Sequence, residues 1–176
     1  MADESLADLL GGRRAALDAT APVVGFVTGW LAGGRSIWWG AAGAVALALA
    51  VSGWRLRRGD RPRAVVIGLL GVCVAALIAL RTGRAEDFFL LQLLSNGASA
   101  LAWAVSILVR WPLLGVVVGG VLGQKTRWRR DPALLRAYAR GSWVWVLQYV
   151  LRLAVFLPLY AAGQVVALGV FRVALT

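Results

Sequence analysis

Apolar stretches long enough to cross a bilayer alternate in this chain with two dense basic clusters, Arg55 to Arg63 and Lys125 to Arg140. A hydrocarbon core of about 30 Å takes about 20 helical residues at 1.5 Å each, so runs of this length read as spanning helices. Composition agrees: 60% of the residues are hydrophobic, 15% are charged and mean hydropathy is +0.76. A soluble domain sits near half apolar and about a quarter charged. The formal net charge of +11 falls between the apolar runs rather than along one amphipathic face. That pattern fits membrane topology and gives no nucleic-acid surface.

The side-chain inventory narrows the chemistry. Histidine is absent, which removes the usual general base near neutral pH and the commonest metal ligand. Cys73, the single cysteine, lies inside the apolar stretch Ala64 to Leu80 and reads as a small buried hydrophobe. No disulfide framework or metal cluster can form within one chain, and we expect no catalytic residue, metal or cofactor.

Residues 1–14 read as a short cytoplasmic tail, because Asp3, Glu4 and Asp8 replace the basic start of a secretory signal. Arg13 and Arg14 resemble a twin-arginine signal only superficially, since Asp18 follows at once and no cleavage site closes the segment. From residue 15 to 176 we expect one transmembrane domain, an all-α polytopic helical bundle. Its spans lie at about 15–31, 37–54, 64–80, 88–109 and 142–160, with a sixth at 161–175. Pro112 closes the fourth, because proline disfavours helical geometry in the residue before it. Pro158 with Gly163 offers the break between the last two. Residues 112–123 are apolar but number only 12, about 18 Å of helix. They read as a re-entrant or interfacial helix whose ends face one side.

Orientation follows from basic residues in short loops, which collect on the cytoplasmic side. If 112–123 does not cross, Arg13, Arg14, Arg55, Arg57, Arg58, Arg61, Arg63, Lys125, Arg127, Arg129, Arg130, Arg136 and Arg140 share one side. The opposite loops hold only Arg35, Arg81 and Arg84. Aromatic residues mark the same borders, with Trp30, Trp38, Trp39 and Tyr160 outside and Trp54, Trp111, Trp143 and Trp145 inside. Only Trp103 sits deeper, where packing is its natural role.

Small residues recur every fourth position: Gly25 and Gly29; Gly40, Ala44, Ala48 and Ser52; Gly71, Ala75 and Ala79; Gly115, Gly119 and Gly123. Such rows let helix backbones approach closely in lipid. Intrachain packing is their first use, with a seam between two copies as the alternative.

Two groups of residues could carry chemistry. Arg152 lies near the middle of the fifth span with Gln148 one turn earlier, and a charge there costs about 3 kcal/mol unless it faces protein, a partner or water. On the fourth span Gln92, Ser95, Asn96, Ser99 and Ser106 recur at steps of three, four or seven and form one polar stripe. The stripe reads either as interhelical hydrogen bonding or as a hydrated path lined by Gln92, Asn96, Gln148 and Arg152, whose arginine would favour anions. The second group is the outer loop with Arg81, Arg84, Glu86 and Asp87. It reads as a charge-paired turn whose acids cap the next span at its positive end. The basic inner loops would also attract anionic headgroups.

At these residues the chain resembles an integral-membrane family of unknown function from high-GC Gram-positive bacteria, domain of unknown function 3159. The matching pieces are Gly11-Gly12-Arg13 through Asp18 and Pro22, the stretch Arg81 to Phe89, Ser106 through Pro112 and Leu113 to Gly115, and Arg152 through Pro158 to Tyr160. The Ser106 to Leu113 segment and the tryptophan-rich start of the fifth span are also similar to the intracellular septation protein A family, small inner-membrane bundles associated with envelope synthesis and division. These resemblances imply a multi-pass inner-membrane protein and bring no activity, while the distribution of basic residues puts the N-terminus in the cytoplasm. We expect a scaffold or accessory component of the cell envelope. Its partners would be membrane lipids and another membrane protein or a second copy, and the alternative function is a small transporter or channel.

Overall fold

The computed structural model describes residues 12–60, 62–121, 123 and 127–175, with side chains from residue 19 onward apart from residue 127. The acidic tail, Arg61, Lys125 and the side chains of Arg13, Arg14, Asp18 and Arg127 lie outside the described residues. Among the described residues all regular structure is helical: α1 (Gly12–Ala32), α2 (Ile37–Arg57), α3 (Pro62–Thr82), a 3-10 turn (Ala85–Phe89), α4 (Leu90–Leu108), α5 (Leu113–Val121), a second 3-10 turn (Arg127–Arg130), α6 (Pro132–Ala161) and α7 (Val165–Ala174). Four segments are long and apolar enough to cross a membrane: Ile37–Arg57, Pro62–Thr82, Ala85–Leu108 and Pro132–Ala161. The chain is an all-α, multi-pass membrane protein.

The chain divides into two compact units. The first joins the described residues up to Leu91 with those from Leu159 on. Its centre is the α1/α2 hairpin, where two of the small-residue rows meet. A Cβ on Gly25 would run into the carbonyl of Gly43, one on Gly43 into the carbonyl of Gly25, and one on Gly29 into the carbonyl of Trp39. Glycine is needed there because backbone, not side chain, fills the space opposite. Gly40, Ala41, Ala44 and Ala48 are buried along the same seam. On α3, Ala75 and Ala79 of the third row are buried, while a Cβ on Gly71 would meet nothing within 4 Å. The buried members of these rows pack within the chain. Cys73 of α3, expected to be buried, is exposed. Phe26 of α1 stacks on Phe88 at 4.1 Å and meets Phe89 edge-on at 6.3 Å, tying α1 to the turn before α4.

The second unit runs from Gln92 to Pro158. Within it α4 ends in a left-handed residue that is not glycine, Arg110 at φ 55°. Trp111 N–H donates to the Ser106 carbonyl at 2.8 Å and Arg110 N–H to that of Ile107 at 3.0 Å, which is the Schellman arrangement. The Ser106 hydroxyl donates to the Trp103 carbonyl at 2.7 Å and accepts from Leu113 N–H at 3.3 Å, joining the end of α4 to the start of α5. At nine residues, α5 is about 14 Å long. The chain beyond it folds back: buried Trp128 lies against Gly115 near the start of α5 and meets Tyr138 edge-on at 5.7 Å.

Helix α6 starts ten residues before the expected fifth span. Asp131 caps it, its Oδ1 accepting from Ala133 N–H at 2.8 Å, and Pro132 takes the first helical position, where its missing N–H costs nothing. The helix carries through Pro158 and closes at Gly163 (φ 63°), so the bend lies at the glycine. The segment expected as a sixth span holds α7, ten residues and about 15 Å long.

Candidate functional site

The charged loop of Arg81, Arg84, Glu86 and Asp87 is built from both ends inward. Helix α3 stops at Thr82, whose hydroxyl donates to the Ile78 carbonyl at 3.0 Å and accepts from Arg84 N–H at 3.4 Å. Gly83 turns the chain at φ 72° and the 3-10 turn leads into α4. Arg84 Nε donates to Glu86 Oε1 at 2.9 Å. That bond and the Glu86 charge hold the exposed guanidinium above its ordinary value, so it stays charged at any working pH. Arg81, at the end of α3, is exposed.

Asp87 is withdrawn from solvent. It is 4% exposed, and Tyr160, in the last turn of α6, donates its hydroxyl to Asp87 Oδ1. Arg84 also lies 5.7 Å from the centre of the Tyr160 ring, and Glu86 borders the Gly163 bend. Four polar groups from two segments far apart in sequence thus form one cluster on the Phe26, Phe88 and Phe89 stack. Tyr160 was readable only as an interfacial aromatic. The signal for its partner role was that Asp87 stands directly before two phenylalanines, where a carboxylate needs a donor.

The polar face of α4 is less uniform than its spacing implies. Gln92 Nε2 donates to Asn96 Oδ1 at 3.3 Å, Asn96 is buried, and its Nδ2 finds no hydrogen-bond partner among the described residues. Ser99 is half-buried, Ser106 serves the α4/α5 junction, and Ser95 and Gln148 are exposed. Arg152 is half-buried. The Trp103 and Trp145 rings stack at 5.4 Å, while Leu114, beyond the end of α4, touches Gly141.

The family model described as a protein of unknown function (DUF3159) matches residues 10–176. The chain belongs to that family. No curated protein and no solved structure matches it. In this DUF3159 protein, two of the segments that carried the resemblance, Arg81 to Phe89 and Arg152 to Tyr160, meet at the Asp87 and Tyr160 contact. Among the described residues, no three His, Cys, Asp or Glu side chains gather as a metal site.

Proposed function

We propose that this protein is a non-catalytic scaffold or accessory component of the cytoplasmic membrane, working through lipids and through another membrane protein or a second copy. The observation that carries the reading is the outer cluster. Its charged side chains bind one another: Arg84 holds Glu86, and Tyr160 holds Asp87. Groups tied in this way fix segments of the fold rather than await a substrate.

The N-terminus and the basic clusters face the cytosol in this reading. Arg55, Arg57 and Arg58 at the end of α2 and Arg63 at the start of α3 form one basic end. Support for placing Arg129, Arg130, Arg136 and Arg140 on the same side comes from the short α5 and from Trp128, which brings the chain back to Gly115.

One observation favours a second reading, a small transporter or channel: the Asn96 amide of α4 is buried, with no hydrogen-bond partner for its Nδ2 among the described residues. Proteoliposomes separate the two. The scaffold reading expects ion and small-anion permeability equal to that of protein-free liposomes. Flux that falls in both Asn96→Ala and Arg152→Ala would overturn it in favour of the transporter.

A further inference from the structure

The corner between α4 and α5 carries a cation that the fold positions and leaves without a counterion. Arg129, in the second 3-10 turn, holds its guanidinium 4.0 Å from the centre of the Trp111 ring. Positions 111 and 129 stand eighteen residues apart, so tertiary structure makes the contact. The comparable pair on α2, Arg58 at 4.1 Å over Trp54, is one helical turn apart and follows from helix spacing alone.

Both partners are fixed through their neighbours. Trp111 closes the turn after α4 with its N–H on the Ser106 carbonyl and precedes buried Pro112. Trp128, buried against Gly115, anchors the residue before Arg129. Among the described residues no hydrogen bond or ion pair occupies the exposed Arg129 guanidinium. Asp131, the acid nearest in sequence, is engaged at the start of α6 by Ala133 and Leu134 N–H. Arg110 and Arg130 are exposed too, so the corner sets three arginines against one aspartate.

Hydrocarbon belongs next to this cation. The segment Ala85–Leu108, long and apolar enough to cross a membrane, ends three residues before Trp111. A tryptophan there lies at headgroup depth, and the arginine on its ring lies with it. Leu108 and Val109, 76% and 62% exposed, stand on the membrane side of the ring in sequence and would be bare in water.

We propose that Arg129, held on Trp111, is a binding site for the phosphate of an anionic glycerophospholipid, whose acyl chains lie along Leu108 and Val109. The arginine fork suits two phosphate oxygens, and the ring orders the side chain beforehand, which reduces the entropy that binding gives up. The site rests on the lipid-binding part of the reading above and holds for a scaffold and a transporter alike.

Native mass spectrometry of the full chain, released from nanodiscs holding equal phosphatidylglycerol and phosphatidylcholine, tests the assignment. A single phosphatidylglycerol should survive activation that strips phosphatidylcholine. Arg129→Lys keeps the charge but neither the fork nor the stack, and it should lose that lipid, as should Trp111→Leu. Arg130→Gln removes a neighbouring charge and should retain it. Thermal unfolding of both arginine variants in phosphatidylcholine alone should match the wild type. Retention in Arg129→Lys would overturn the site, and so would equal loss in Arg130→Gln. Either result would assign the lipid to charge density alone and leave the general attraction of the basic loops standing. Equal retention of the two lipids by the wild type would overturn both. Displacement by soluble glycerol phosphate would make the free anion the ligand and overturn the lipid assignment.

Discussion

Tyr160 donates its hydroxyl to the buried carboxylate of Asp87 across 73 residues of sequence, joining the last turn of α6 to the turn that opens α4. Asp87 has little access to water, so the phenol supplies a bond that solvent cannot. Tyr160→Phe should lower stability by about 2 kcal/mol, the cost of leaving a buried acceptor short of its donor. Thermal unfolding in detergent reads it. Adding Tyr160→Phe to Asp87→Asn should cost much less than the two changes apart, because they share one contact.

The α1/α2 seam sets a sharp contrast between glycines. Gly43→Ala places a methyl against the Gly25 carbonyl and should cost about 1–3 kcal/mol, as overpacking does. Gly53→Ala, on the same helix with nothing within 4 Å of the new Cβ, should leave stability unchanged or raise it slightly. Paired unfolding curves of the two variants check this, and equal losses would contradict the seam.

Arg110 holds a left-handed conformation that costs a non-glycine residue about 1 kcal/mol. Arg110→Gly should therefore stabilise the protein by about that amount, whereas Gly163→Ala, in the same conformation after α6, should destabilise it comparably. Opposite shifts in unfolding temperature are the expected outcome.

Much of the fold could be read from hydropathy because lipid solvation is a strong, local constraint. The expected spans 37–54 and 64–80 lie inside α2 and α3. What hydropathy missed was helix that continues beyond the apolar run. Residues 132–141 of α6 carry Arg136 and Arg140 and read as loop, although Asp131 followed by Pro132 is a helix-start signal. The charged turn was readable as a cluster, and the Arg84 and Glu86 pair is local in sequence. The burial of Asp87 was not, because its donor sits on a helix whose approach no periodicity encodes. The α4 stripe was partly readable: spacing puts Gln92 beside Asn96, but it cannot tell that Ser95 is exposed while Ser106 bonds Leu113 N–H.

Replacing Ser106 by alanine should expose that last difference. It removes both the bond to the Trp103 carbonyl and the acceptor for Leu113 N–H, loosening the α4/α5 junction. A loss of about 1–2 kcal/mol is expected, against none for Ser95→Ala.

The threading of the chain is tested most directly by cysteine labelling in intact cells, with Cys73 first changed to alanine and single cysteines placed at Arg57, Arg84 and Arg129. A membrane-impermeant maleimide added outside should label position 84 at once, and positions 57 and 129 only after the membrane is opened. Labelling of 57 and 129 from opposite faces would contradict the account.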